Sequence, residues 1–204
     1  MTKVKICGLT RIEDIAAANM TRPDYIGFVF AQSRRKIDYD TAARLKAALH
    51  SGIQSVGVFV DEAIENIASL VQANILDAVQ LHGSEDAAYM ERLRTTIGVP
   101  IIKAVRVQSS EQILTYSSMP CDYLLLDTYV RGEQGGSGKC FDWSIIPNMR
   151  KPYFLAGGLN GQNVKNAVKI LHPYCVDVSS GVETDSVKDS DKMLEFVKQV
   201  RSVR

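Results

Sequence analysis

Cys7 ends the apolar run Val4-Lys5-Ile6-Cys7 and is followed by Gly8. A thiol at the end of a strand is open to solvent, and nearby cations, with Lys5 and the arginines as candidates, can lower its pKa toward a thiolate able to act as a base. Most cysteines are small buried hydrophobes, and that reading suits Cys121, Cys140 and Cys175. At Cys7 the neighbouring glycine, which lets a ligand approach the backbone, favours chemistry. Asp127 closes the run Leu124-Leu125-Leu126. A carboxyl group at the lip of an apolar strand can have its pKa raised until it donates a proton near neutrality, as a general acid must. The bland alternative is that Asp127 caps the following loop.

Two glycine-bearing turns suggest an anion site. Gly157-Gly158-Leu159-Asn160 and Ser179-Ser180-Gly181 each follow an apolar run, and backbone amides in such turns hold phosphate. Either alone is an ordinary turn; the pair implies a phosphorylated small molecule. Arg34 and Arg35 follow another run. His82, in Gln80-Leu81-His82-Gly83, has no companion at metal-ligand spacing, so it reads as a neighbour of the reacting groups, and no metal is expected. His50 and His172 fall at helix ends, where a surface role near the dipole suffices. Segment 131–139, rich in glycine and followed by Phe141-Asp142-Trp143, reads as a lid that excludes water.

Something must bring these residues together. Short apolar runs occur at 4–7, 25–30, 55–60, 78–81, 101–105, 123–126, 153–156 and 176–178. They lack polar alternation, as expected of parallel strands covered on both faces. The stretches between them return apolar residues at helical spacing, as in Ile64, Ile67, Ala68 and Val71. Asp40 or Thr41, Asp61, Ser84, Ser110 and Asn160 stand where helix caps belong. Eight βα units in one chain of 204 residues predict a single (β/α)8 barrel, the TIM-barrel architecture, as one domain over 1–204. In that fold the chemistry lies at the C-terminal ends of the strands, which is where Cys7, Arg35, Gln80, Asp127, Gly157 and Ser180 fall.

Composition excludes other classes. A net charge of +1 gives no field for nucleic acid or an anionic membrane, so a bound anion must be held locally. The four cysteines show neither paired spacing nor a Cys-x-x-Cys motif, which fits free thiols in a reducing compartment. The start runs directly into a strand, and no stretch is long enough to span a bilayer. A cytoplasmic protein, monomer or homodimer, is expected.

In order along the chain stand Lys5-Ile6-Cys7-Gly8-Leu9-Thr10, Gly27-Phe28-Val29-Phe30, Ser33-Arg34-Arg35, Val56-Gly57-Val58-Phe59-Val60, Val79-Gln80-Leu81-His82-Gly83 and Leu125-Leu126-Asp127-Thr128. Gly135-Gly136-Ser137-Gly138-Lys139, Phe141-Asp142-Trp143, Gly157-Gly158-Leu159-Asn160 and Asp177-Val178-Ser179-Ser180-Gly181-Val182-Glu183 follow. Over essentially its whole length the sequence resembles the phosphoribosylanthranilate isomerases of tryptophan biosynthesis. The resemblance implies an Amadori rearrangement of N-(5'-phosphoribosyl)anthranilate without a cofactor. Asp127 would act as general acid on the furanose ring oxygen and Cys7 as general base at C2'. It also implies that Arg35 pairs with the anthranilate carboxylate, and that Gln80, His82, Gly157, Gly158, Asn160, Ser180 and Gly181 contact the substrate. Arg34 stands where the family often has proline, and Thr184-Asp185-Ser186-Val187 replaces a common Pro-Gly pair, so the last loop is expected to change shape. The competing readings are a histidine-pathway ribotide isomerase, which usually needs two acidic residues where this chain has Cys7 and Asp127, and a non-catalytic phosphate-binding barrel.

Overall fold

The computed structural model describes residues 1–128 and 141–203. Eight parallel strands pair in sequence order: β1 (Lys3–Cys7), β2 (Tyr25–Val29), β3 (Gln54–Phe59), β4 (Ala78–Leu81), β5 (Ile101–Val107), β6 (Tyr123–Thr128), β7 (Tyr153–Leu155) and β8 (Cys175–Val178). β8 also pairs with β1, in the register Lys5↔Asp177, so the sheet closes and leaves no unpaired edge. The eight apolar runs are the eight strands, with ends that shift by a residue or two.

Successive side chains along a strand point to opposite faces, and the buried residues divide accordingly. Val4, Ile6, Ile26, Phe28, Leu124 and Leu126 pack outward with helix residues such as Ile15, Leu45, Met90 and Phe196. Tyr25, Val56, Ala78, Ile102, Leu125, Phe154 and Cys175 form a separate cluster inside the barrel. The apolar runs conceal this alternation, and with it two charged residues, Lys5 and Asp177, that are buried within strands β1 and β8. The expectation that the strands carry no polar alternation is therefore corrected where these buried charges stand.

Among the described residues seven helices cover the barrel: α1 (Ile12–Thr21), α2 (Tyr39–Ala47), α3 (Ile64–Gln72), α4 (Ala87–Thr96), α5 (Ser110–Ser117), α6 (Val164–Leu171) and α7 (Ser190–Arg201). The expected eighth is missing among the described residues. Between β6 and β7 they hold only a 3-10 turn, Trp143–Ile145, because Pro147 and Pro152 lack backbone donors and disfavour helical residues before them. The lid assigned to 131–139 and the buried role assigned to Cys140 lie outside the described residues.

Several caps also differ by a short step from expectation. Asp38, not Asp40 or Thr41, caps α2 by accepting from the Thr41 amide at 2.9 Å. Asp86, not Ser84, caps α4, and Ser109, not Ser110, caps α5. Asp61 caps no helix; it sits at φ 50 and accepts from the Ser84 amide at 2.7 Å. Asn160 accepts from the Gln162 and Asn163 amides in the turn that leads into α6. Composition marks the region of a helix start, whereas the cap depends on a single residue's backbone angles.

After β8 a 3-10 turn (Ser180–Val182) leads to an antiparallel hairpin, β9 (Glu183–Thr184) and β10 (Val187–Lys188). Its two loop residues, Asp185 and Ser186, both have positive φ, at 50 and 67, which is the conformation a two-residue type I′ turn requires. Among the described residues, no helix is long and apolar enough to cross a membrane.

Candidate active site

Inward-facing residues at the C-terminal strand ends meet over a cavity of about 150 Å³ lined by Cys7, Arg35, Gln80, His82, Arg106, Asp127, Asp177 and Ser179. It adjoins a second of about 70 Å³ lined by Gly157, Gly158, Ser180 and Gly181, with Asp127, Asp177 and Ser179 common to both. Of the ten residues singled out from sequence, nine line one cavity or the other. Asn160 does not: its side chain ties the turn before α6, and it borders a larger outer cavity of about 400 Å³ with Lys192 and Glu195.

Cys7 is 8% exposed. Its sulfur lies so near β2 that a Cβ on Gly27 would come within 2.6 Å of it, so the glycine makes room for the thiol. Beneath it, the Lys5 ammonium reaches Asp177 Oδ1 at 3.0 Å with none of its side chain exposed. Burial pushes the Cys7 thiol up; the Lys5 and Lys188 ammonium groups pull it down, and the Asp177 carboxylate pushes it up again. The net direction is upward, although cations stand where the sequence suggested they could lower it. Lys5 is a cation in the right place, but desolvation outweighs it and Asp177 claims part of its field. For Lys5 itself burial disfavours the charge, yet the adjacent carboxylate more than compensates and holds its pKa above the ordinary lysine value.

Asp127 is half-buried. Its Oδ1 accepts from the Thr128 amide at 2.8 Å and its Oδ2 stands 3.5 Å from His82 Nε2. The other ring nitrogen of His82, Nδ1, is 2.9 Å from Gln80 Nε2. With the amide nitrogen donating, Nδ1 is the acceptor and Nε2 carries the proton toward Asp127. Gln80 Oε1 is buried with no partner among the described residues, an acceptor left for a ligand donor. Gln80, His82 and Asp127 thus form a line across β4 and β6.

The two arginines separate clearly. Arg35 lines the cavity with a side chain 17% exposed, while Arg34 is 51% exposed and lies outside it. Arg35 Nε and Nη2 donate to the two carboxylate oxygens of Glu183 at 2.7 and 2.9 Å. Arg34 Nη2 donates to the same carboxylate at 2.7 Å, and Nη1 to Ser186 Oγ. Lys188 Nζ donates to Glu183 Oε1 at 2.6 Å and to the Ser179 carbonyl at 2.9 Å. The Ser179 hydroxyl in turn donates to the Cys7 carbonyl at 3.0 Å. Burial works against the charge on Glu183, but Arg35 and Lys188 hold its pKa below the usual carboxylate value.

Asp177, Lys188 and the pairing role of Glu183 were not assigned from sequence. The signal available for Asp177 was a charge inside the apolar run Cys175-Val176-Asp177-Val178, two residues from the next inward position. Nothing in the sequence shows that Lys188 folds back through a hairpin. Among the described residues no group of three or more His, Cys, Asp or Glu side chains is arranged to hold a metal ion.

A family model described as N-(5'phosphoribosyl)anthranilate (PRA) isomerase matches residues 4–199. The chain belongs to the PRA isomerase family. A relative named N-(5'-phosphoribosyl)anthranilate isomerase, from Endomicrobium trichonymphae, is 52% identical over 203 residues and both chains are covered in full. The crystal structure of phosphoribosyl anthranilate isomerase from Thermotoga maritima superposes with a TM-score of 0.88 at 37% identity, covering 99% of this chain and 100% of that one. A PRA isomerase solved in complex with reduced 1-(o-carboxyphenylamino)-1-deoxyribulose 5-phosphate superposes at 0.82 with 34% identity, covering 99% of this chain and all of that one. PRA isomerases are enzymes, and the barrel and its closure are those of the family's solved members.

Proposed function

We propose that this chain, folded as one domain over 1–204, isomerises N-(5'-phosphoribosyl)anthranilate to 1-(o-carboxyphenylamino)-1-deoxyribulose 5-phosphate, a step of tryptophan biosynthesis. The observation that carries the reading is the meeting of Cys7 and Asp127, from opposite sides of the barrel, on one cavity that runs on into the glycine-lined cavity at β7 and β8. A related isomerase was solved with a reduced form of that product bound.

Catalysis starts with the Asp127 carboxyl group protonated and Cys7 as thiolate. Asp127 gives its proton to the furanose ring oxygen, the C1'–O bond breaks, and the anilino nitrogen lone pair forms the Schiff base. Cys7 then takes the C2' proton, and the electrons of that C–H bond move to give the neutral enolamine. Tautomerisation to the ketone and proton exchange restore both groups. The Lys5 ammonium below the thiol favours the thiolate, the form the second step consumes. Arg35 meets the anthranilate carboxylate as a bidentate donor, a task for which its fork is preformed. The backbone around Gly157, Gly158, Ser180 and Gly181 holds the phosphate, and Gln80 and His82 border the sugar.

Freshly prepared phosphoribosylanthranilate, followed by loss of its fluorescence on addition of the protein, tests the activity. Turnover with formation of the ribulose product is expected. No consumption above the spontaneous rate, in a folded preparation, sinks the reading. A parallel assay with the histidine-pathway ribotide reads whether that substrate is also accepted.

A further inference from the structure

We propose that Glu183 is a positioning residue for substrate recognition: it grips one edge of the Arg35 guanidinium so that the opposite edge is offered to the ligand carboxylate, and Arg34 with the β9–β10 hairpin holds Glu183 in place. The proposal rests on Arg35 as the carboxylate reader.

The geometry sets the division of labour. A guanidinium has five N–H donors in a fixed plane. Glu183 takes Nε–H and one Nη2–H in a fork-to-fork contact at 2.7 and 2.9 Å, leaving the Nη1 and Nη2 end as a second two-pronged edge. Arg35 lines the cavity and Glu183 does not; the Glu183 side chain is only 5% exposed. Glu183 therefore acts on a ligand through Arg35. The stem of Arg35 is equally fixed, since it crosses Gly8 so closely that a Cβ there would stand 2.3 Å from Arg35 Cδ.

The surrounding charges explain why the arrangement attracts an anion. Arg34, Arg35 and Lys188 all pair with the single carboxylate of Glu183, so the cluster keeps a surplus of positive charge after internal pairing. That surplus lies beside the cavity that Arg35 lines. Glu183 is pinned in turn at two further points: Arg34 spans from it to Ser186 at the hairpin turn, and Lys188 spans from it to Ser179. Losing the grip would leave Arg35 its charge but give it many rotamers, and each lost orientation weakens a contact whose strength comes from planar alignment.

Steady-state kinetics on phosphoribosylanthranilate with Glu183→Gln, Arg35→Ala and the double variant test this. Glu183→Gln is expected to raise KM about tenfold with kcat within about threefold, the pattern of lost uniform binding. Arg35→Ala should raise KM at least as far, and adding Glu183→Gln to it should change nothing more, because the two act as one unit. Arg34→Ala, at an exposed site, should raise KM by less, and Arg34→Lys should recover part of that; these two decide the matter if Glu183→Gln does not fold. An unchanged KM in Glu183→Gln, a fall in kcat without a rise in KM, or full additivity with Arg35→Ala overturns the proposal. If Arg35→Ala raises KM while Glu183→Gln and Arg34→Ala are silent, this proposal alone falls; if Arg35→Ala leaves KM unchanged, the reading of Arg35 falls with it.

Discussion

As the proposed base, Cys7 has to lose a proton before it can accept one, and its surroundings make that loss costly. Burial raises the thiol above its ordinary value, and Lys5 and Lys188 only partly offset this. The acidic form of Cys7 therefore prevails at neutral pH, and the thiolate fraction grows as pH rises. Alkylation of Cys7 by iodoacetamide, followed by mass spectrometry, should show a midpoint above the usual cysteine range, and kcat/KM should climb with pH while the thiol titrates; a midpoint below that range contradicts the electrostatics described. Cys7→Ala and Asp127→Asn are each expected to lower kcat by at least about a hundredfold, the scale of a lost general base or acid, with the circular dichroism spectrum unchanged. Near-normal turnover in Cys7→Ala ends the proposed mechanism. The residues themselves were legible because each ends an apolar run. The sign of the thiol shift was not, because it is a balance between desolvation and three charges, two of which, Asp177 and Lys188, lie more than a hundred and sixty residues away in the chain.

Strands were easier to find than what lies between them. A strand covered on both faces is a continuous apolar run, and such a run survives any choice of boundary. A helix after β6 was expected from repetition alone; among the described residues the stretch with prolines at 147 and 152 holds only a 3-10 turn. The hairpin β9–β10 was invisible because its loop, Asp185-Ser186, lacks the glycine that usually marks a type I′ turn; its Ser186 meets Arg34. Where strands approach one another closely, the sequence says more. Gly27 on β2 faces Cys7 on β1, and Gly27→Ala forces the thiol aside or parts the strands. A destabilisation of about 1–3 kcal/mol, the usual cost of overpacking, is expected in denaturant unfolding, together with a fall in kcat. A Gly27→Ala protein with normal kcat shows that the thiol has room the packing does not reveal.

Across the whole molecule, the two ends of the barrel divide their duties, chemistry above and cohesion below. At the lower end the hydroxyls of Tyr25, Tyr123 and Tyr174 and the ammonium of Lys3 share one hydrogen-bonded group around Phe154. Tyr174→Phe should therefore cost about 1 kcal/mol of stability and leave kcat and KM within twofold; a change in KM breaks that division. On the helix side of β5, Lys103 and Glu85 form an ion pair at 2.6 Å with both side chains 1% exposed, and Glu85 also accepts from the Asp61 and Gly83 amides. Lys103→Met strands that carboxylate, and a loss of about 3–5 kcal/mol is expected in denaturant unfolding. The seam of the barrel has another meaning when the chain is made from its first residue onward. Of the barrel strands β1 emerges before all others and β8 after them, and only their pairing brings Asp177 to Lys5 beneath Cys7. Until β8 has been made the thiol rides on a strand with one open edge, and the pocket around it stays unfinished. Chains stalled before residue 175 should therefore be labelled at Cys7 far faster than finished ones.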